Sequence, residues 1–256
     1  MELKELCGLI DLPGSVTAAV LAVPAVPDGI LRPLRTPGHW EQGREVLAKH
    51  LGDDPDGFAT LSAHLQCALK TCEIYRECGI TQEIFVETMK CFPRFVREHM
   101  ASYGRYGFDR DFWTVRQLSA VLLRIGELEY EVREDAIHLH IPSDARLELP
   151  LLRRSWERAR EMRGGADMVC HSWLLSPDLP GLLDADSRIL AFRRNFRILS
   201  PEPDDSFRQW VFKNPGLPDD RLPEDTSLQR KLKAFLRSGH TFHAARGTLI
   251  EEPFLK

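Results

Sequence analysis

Three histidines and a cysteine lie in two short segments whose residue patterns predict β-strands. The run 137–141, IHLHI, alternates apolar and polar residues, so His138 and His140 share one face of a strand. Further along, Cys170 and His171 are neighbours in an apolar run and therefore point to opposite faces. An imidazole titrates near neutral pH, so His171 can act as a general base, while Cys170 can donate a proton or act as a nucleophile from the other face.

Each of these residues also has a simpler explanation. Taken alone, Cys170 is more often an inert core thiol, and His171 a hydrogen-bonded histidine of the core. Paired histidines on one strand face occur at metal sites, but the sequence offers no clear third ligand, so we expect no metal. The six cysteines are irregularly spaced and include no Cys-x-x-Cys pair, which predicts reduced thiols without disulfides.

The segment before these histidines carries a second candidate base. Residues 128–132, LEYEV, alternate and place Glu129 and Tyr130 on opposite faces. With the polar turn that follows, 128–132 and 137–141 predict a half-buried antiparallel hairpin. A glutamate on a strand beside a cleft can act as a general base, although a solvated glutamate on a sheet surface is commoner.

The other elements divide the chain into a helical first part and a mixed second part. Helices are predicted over 40–51, over 56–78 and after Thr81, with a kink at Pro93, and the break at 103–107 marks a domain boundary. The second part is predicted to contain a helix over 112–125, the hairpin, a helix over 149–162, a strand over 168–175, a helix over 182–194, paired strands at 196–199 and 207–212, a Pro/Asp-rich loop over 214–225, a basic helix capped by Thr226 or Ser227, and a last strand over 241–245. The predicted fold is α+β, with a helical N-terminal domain (1–108) followed by a mixed-sheet C-terminal domain (109–256).

The bulk composition excludes several classes of protein. The net charge of −4 gives no general electrostatic reason to bind nucleic acid or an anionic membrane. No apolar run reaches the length of a membrane span, and the first residues lack the basic and apolar parts of a signal peptide. We therefore expect a cytoplasmic protein that binds neither nucleic acid nor membrane, and the oligomeric state stays open.

Four segments carry a resemblance to a known family. They are 124–130 (RIGELEY), 137–144 (IHLHIPSD), 170–175 (CHSWLL) and 187–192 (SRILAF). Together with the order of elements after residue 109, they resemble the GNAT N-acyltransferases. They resemble more closely still a bacterial branch in which a helical acyltransferase N-terminal domain precedes a GNAT-like C-terminal domain.

The resemblance implies a cofactor site between two central strands. In GNAT enzymes these strands splay apart, the pantetheine arm of acyl-CoA lies in the gap, and the pyrophosphate meets amides at the start of the next helix. The resemblance places the strands at 137–141 and 168–174 and the phosphate turn at 142–147. The implied acyl-CoA ligands, acetyl-CoA being the simplest, are His138, Leu139, His140, Ile141, Ser143 and Arg146.

The predicted phosphate turn departs from the family pattern and leaves two main functions open. GNAT enzymes place glycines in this turn, whereas residues 142–147 contain none and include Asp144. The first hypothesis is transfer of an acyl group from acyl-CoA to a small-molecule amine or a peptide, with His171 or Glu129 as the base. The second is a catalytically inactive GNAT-like binding or regulatory module, and a third, weaker one is a hydrolase that uses Cys170.

Overall fold

The computed structural model describes residues 1–164, 166–213 and 216–255, without the side chain of residue 163. The chain divides into two compact units, residues 1–124 and residues 125–256. Helix α8 (Asp111–Leu118) belongs to the first unit because Thr71 and Tyr75 donate hydrogen bonds to the carbonyls of Leu118 and Gln117. The domain boundary after residue 108 stays a prediction.

The first unit is helical, and its longest helix lies at its centre. The elements are α1 (Leu3–Leu9), α2 (Gly14–Ala22), α3 (Asp28–Leu31), a 3₁₀ turn (Arg32–Arg35), α4 (Trp40–Leu51), α5 (Phe58–Glu77), α6 (Gln82–Met89), α7 (Cys91–Tyr103) and α8. The consecutive residues 61–65 of α5 point to different sides of the helix and are all fully buried, so other helices surround it. The helices predicted over 40–51 and 56–78 are thus present.

The helix predicted after Thr81 differs in one respect. The Thr81 side chain does cap α6 by accepting from the amide of Ile84. The kink predicted at Pro93 is instead a full break at Lys90, and Pro93 stands in the first turn of α7. Proline is tolerated there because the first-turn amides have no partner within the helix.

The second unit contains helices α9 (Leu149–Arg163), α10 (Leu179–Leu182), α11 (Arg188–Arg193) and α12 (Ser227–Arg237) beside a six-stranded mixed sheet, whose first strand begins in the last residues of the first unit. The strands are β1 (Leu122–Ile125), β2 (Leu128–Val132), β3 (Ile137–His140), β4 (Met168–Ser172), β5 (Phe196–Pro203) and β6 (His243–Leu249), in the order β1-β2-β3-β4-β6-β5. β2 and β3 form the predicted antiparallel hairpin, β3 and β4 are parallel, and β6 runs antiparallel to both β4 and β5. The predicted α+β fold is therefore correct, and the segments at 137–141 and 168–174 supply two inner strands.

Two predictions near these strands are wrong in their bounds. The helix predicted over 112–125 ends at Leu118, because Ala120 takes a positive φ of 57°, and residues 122–125 form β1. All four residues of β1 are buried, and a short buried strand lacks the alternation that would distinguish it from a helix. β4 ends at Ser172, whose hydroxyl accepts from the amide of Leu174 and starts a 3₁₀ turn over Trp173–Leu175.

The C-terminal elements also differ from the predictions. Residues 208–212 form a π-helix and not a strand, because Phe207, Val211 and Phe212 all pack into one apolar cluster. β5 pairs with β6 instead, and β6 begins at His243, later than the predicted strand over 241–245. The helix predicted over 182–194 is the two short helices α10 and α11.

Thr226 caps α12 in a reciprocal arrangement with Gln229, as the sequence predicts. Residues 214 and 215 of the predicted 214–225 loop lie outside the described residues. Within the described ranges, none of the helices has the length and hydrophobicity that a bilayer crossing requires.

Candidate active site

The central feature of the sheet is the place where β3 and β4 stop pairing. Their register runs from Ile137 opposite Met168 to Leu139 opposite Cys170. β3 continues for one residue beyond the last pair and β4 for two, while the other side of β4 stays paired with β6 through Ser172. The pairing of the two parallel strands therefore stops at their C-terminal ends, which is where the resemblance implies a thioester site.

The two faces of the sheet differ sharply at this point. Leu139 and Cys170 lie opposite each other on the buried face and are almost inaccessible to solvent. Burial raises the pKa of the Cys170 thiol to about 12, so the thiolate needed for a nucleophile is scarce at neutral pH. His140 and His171 lie on the other face, one step beyond Leu139 and Cys170. The predicted opposite orientation of Cys170 and His171 is thus present, and the hydrolase hypothesis loses its nucleophile.

His171 is accessible at the end of β4. Its side chain is 49% exposed, and its Nε2 lies 3.9 Å from Oε2 of Glu202 on β5. Arg246 of β6 stands directly opposite in the register. This histidine is not the enclosed core residue of the simpler explanation, and it has the access that a base needs to meet a substrate.

His140 is bound to a buried carboxylate that the sequence interpretation did not single out. Its Nε2 lies 2.9 Å from Oε2 of Glu131, whose side chain is 5% exposed and which also accepts from Arg133 at 2.7 Å. Burial alone would raise the pKa of Glu131, but the hydrogen bonds from His140 and Arg133 outweigh it and lower the pKa to about 2. Alternation along β2 already places Glu131 on the face that carries His138 and His140, so the pattern could have identified it.

His138 and Glu129 lie farther from the point where the strands part. His138 Nε2 lies 3.3 Å from Asp135, whose other oxygen lies 3.5 Å from Arg246. Burial and then the charge of Arg133 lower the pKa of His138. Glu129 is buried and opposite His140 on β2, so β3 separates it from β4. The geometry therefore favours His171 over Glu129 as the group beside the gap.

The turn between β3 and α9 is fixed by a carboxylate from the β1–β2 turn. Glu127 accepts from the backbone amide of Arg146 at 2.8 Å and from its guanidinium at 2.8 Å and 3.1 Å. Within the turn, the amide of Ala145 donates to the carbonyl of Pro142. The guanidinium that was predicted to meet a phosphate is thus already matched with one negative charge, and Ser143 lies on the exposed part of the same turn. The turn therefore has the position expected for a phosphate site, but the contact with Glu127 holds it where the family pattern has glycines.

A separate cavity of about 560 Å³ lies at the opposite end of β4. It is lined from α9, from the starts of β4 and β5 and from the end of β6, with Trp156, Asp167, Met168 and Arg197 among its residues. None of the predicted site residues lines it. Among the described residues, no group of three or more His, Cys, Asp or Glu side chains could hold a metal ion.

A mixed sheet whose inner parallel strands stop pairing beside an exposed imidazole is the arrangement that the resemblance implies for an acyltransferase-like α+β protein. Family models support that class directly: the GNAT-like C-terminal domain matches residues 74–249, and the N-acyltransferase N-terminal domain matches residues 1–120. The chain belongs to the GNAT-like C-terminal domain family. No curated protein is similar enough to count as a match.

Solved acyltransferase structures have the same fold. An acyltransferase in complex with decanoyl-CoA and teicoplanin is 25% identical to this chain, with a TM-score of 0.78 over 97% of this chain and 87% of the other. A mutant acyltransferase in complex with octanoyl-CoA is also 25% identical, with a TM-score of 0.77 over 96% and 86%. A further acyltransferase, in complex with decanoyl-CoA, is 21% identical and shares the fold with a TM-score of 0.68 over 99% and 100%.

Proposed function

We propose that this protein transfers an acyl group from acyl-CoA to the nitrogen of an amine. The observation that carries the proposal is the end of the pairing between β3 and β4 beside the accessible imidazole of His171. Membership of the family and the acyl-CoA complexes of similar acyltransferases support it. The proposed location is the cytoplasm.

The proposed chemistry assigns one role to each side of the gap. His171 removes a proton from the attacking amine as the N–C bond forms. The carbonyl oxygen of the thioester receives hydrogen bonds from backbone amides of residues 138–141, which stabilise the negative charge of the tetrahedral intermediate. The C–S bond then breaks, and CoA leaves as the thiol after taking up a proton. Glu129 is the alternative base, and the exposed position of His171 supports the first choice.

The proposed ligands of the CoA moiety lie on β3 and on the turn that follows. His138, Leu139, His140 and Ile141 line the strand side, and Ser143 and Arg146 belong to the phosphate turn. All these residues belong to the second unit of the chain, and the oligomeric state stays open.

The acyl group proposed is a medium chain, and the acceptor is a small-molecule amine or a peptide. Decanoyl-CoA and octanoyl-CoA are bound by the similar structures, and teicoplanin is bound in one of them. Acetyl-CoA, the simplest donor, is the second candidate.

A panel of donors tests the proposal in two measurements. Acetyl-, octanoyl- and decanoyl-CoA should raise the melting temperature to different extents, because a ligand that binds only the folded state stabilises it. The same donors, mixed with a panel of primary amines and small peptides, should release free CoA thiol. Release that depends on the amine supports transfer, whereas stabilisation without release with any amine would contradict it.

A non-catalytic acyl-CoA-binding module is the second candidate. The glycine-free turn and the engagement of Arg146 by Glu127 favour it, because both differ from the glycine-containing phosphate turn that the resemblance implies. Its expected result is a raised melting temperature with acyl-CoA and no amine-dependent release of thiol.

A further inference from the structure

The edge strand β5 contains a β-bulge at Leu199. Ile198 stands opposite Gly247 and Ser200 stands opposite Arg246, so β5 advances two residues where β6 advances one. Leu199 is the extra residue. A bulge of this kind changes which side chains lie on each face of the sheet.

The bulge determines the direction of Glu202. Beyond it, Ser200 pairs with Arg246 and Glu202 with Ala244, which places Glu202 on the same face as Arg246 and His171. In a regular ladder without the bulge, Leu199 would pair with Arg246. The alternation of β5 beyond it would then shift by one residue, and Glu202 would point to the opposite face. The 3.9 Å distance from Glu202 Oε2 to His171 Nε2 is therefore a consequence of the bulge.

The chain around Glu202 restricts its motion. Pro201 and Pro203 flank it, and each proline fixes its own φ near −65°. Both prolines are in register with β6, opposite Ala245 and His243. Proline is tolerated in β5 because β5 is the edge strand and its outer side needs no ladder amides. The carboxylate is thus carried by a stiff segment that is paired on one side.

The charges around His171 make a carboxylate useful at this place. On β6 the guanidinium of Arg246 lies directly across from His171 and opposes a positive imidazolium, although Asp135 partly compensates it at 3.5 Å. On β3 the facing groups are His138, which lies 3.3 Å from Asp135, and His140, which is bound to Glu131. On β5 the facing carboxylate is Glu202.

We propose that Glu202 is the positioning residue for His171 and that the bulge at Leu199 serves to aim it. Glu202 accepts from the Nε2–H of His171, directly in the substrate complex or through one water, which leaves Nδ1 to take the proton from the amine. The ionised carboxylate also stabilises the imidazolium that forms as the N–C bond is made. This inference rests on the proposed role of His171 in acyl transfer.

Kinetics of Glu202→Gln and Glu202→Ala provide the first test. We expect kcat to fall on the order of 10- to 100-fold in Glu202→Ala, and less in Glu202→Gln, which keeps an acceptor but loses the charge. KM for acyl-CoA should change less than about two-fold. Glu161→Gln, an exposed carboxylate of α9, is the control that should keep full activity. The proposal would be overturned if KM for acyl-CoA rose as much as kcat fell, or if kcat were unchanged in Glu202→Ala.

A double variant isolates the coupling between the two residues. In a His171→Gln background, Glu202→Ala should cost little further activity, because the positioned group is gone. A loss that is just as large in that background would show that Glu202 acts on something else.

Nitrogen-15 NMR of the His171 ring gives a readout that does not depend on turnover. In wild type we expect the tautomer protonated at Nε2, and in Glu202→Ala a mixture or the other tautomer. If His171→Gln keeps full turnover, the proposed base is wrong whatever the NMR shows. If His171→Gln is inactive while the tautomer is the same in wild type and Glu202→Ala, the positioning role alone is wrong.

Discussion

Glu127 and Arg146 join two turns that are far apart along the chain. Glu127 follows β1, Arg146 precedes α9, and the carboxylate accepts from the amide and the guanidinium of Arg146 together. Glu127 is itself held, because its amide donates to the Ser155 hydroxyl of α9 at 2.8 Å. Gly126 beside it has a positive φ of 62°, and a Cβ there would collide with the same hydroxyl. Side-chain contacts thus shape the turn before α9, at the place where the resemblance to GNAT enzymes implies glycines.

The first prediction concerns the contact between Glu127 and Arg146. Replacing Glu127 by Gln removes a charged acceptor from a buried site, and we expect a loss of about 1–3 kcal/mol in the free energy of unfolding, measured with urea. KM for acyl-CoA should rise several-fold with a smaller change in kcat, because the turn is the proposed phosphate site. Glu157→Gln, which breaks an exposed ion pair with Arg153, is the control and should cost less than about 1 kcal/mol. If Glu127→Gln were destabilised but KM unchanged, the contact between Glu127 and Arg146 would contribute to stability and not to cofactor binding.

The second prediction concerns the proposed base. His171→Ala should lower kcat by roughly 100-fold or more, since general-base catalysis contributes factors of that size. Because the side chain is half exposed, the melting temperature should change little. His50→Ala, at an exposed position of α4, is the matched control. Turnover at the wild-type rate in His171→Ala would rule out this role and favour Glu129 as the base.

The helices that the sequence predicted best have both a period and a clear stop. Residues 40–51 end before Gly52 and residues 56–78 before Gly79, and both glycines take positive φ. β1 was missed because four consecutive buried residues have no alternation. Residues 208–212 were mistaken for a strand because tertiary packing of the phenylalanines decides their conformation.

The candidate site was predicted in part for similar reasons. The orientation of His171 follows from alternation along β4, and alternation along β2 places Glu131 on the face that carries His138 and His140. The bond from Glu131 to His140 is diagonal, because the register sets Glu131 opposite His138. Glu202 could not be found in this way, because a bulge shifts the alternation and leaves no local mark in the sequence. The engagement of Arg146 by Glu127 joins two loops, and no periodicity describes such a contact.

The third prediction concerns Cys170. Its thiol is fully buried and its pKa is raised to about 12 by burial, so it should be inert to alkylating reagents in the folded protein, while the exposed Cys78 reacts. Mass spectrometry of peptides after brief alkylation with and without urea measures this directly. Cys170→Ala should cost on the order of 1 kcal/mol in stability and leave kcat within about two-fold of wild type. Loss of turnover in a folded Cys170→Ala would revive the hydrolase hypothesis.

The fourth prediction follows from the pKa of Glu131. Its folded pKa of about 2 lies below the ordinary value of 4.5, so the ionised carboxylate, held by His140 and Arg133, contributes stability. That contribution is complete above about pH 4.5 and is lost as the pH falls toward 2, because the folded state must then bind the proton that the unfolded state already holds. Glu131→Gln lacks this titration. The difference in free energy of unfolding between wild type and Glu131→Gln, measured with urea at pH 6, 5, 4 and 3, should therefore be largest at pH 6 and shrink steadily below pH 5. A difference that stays constant over this range would show that the carboxylate is not held by its two partners.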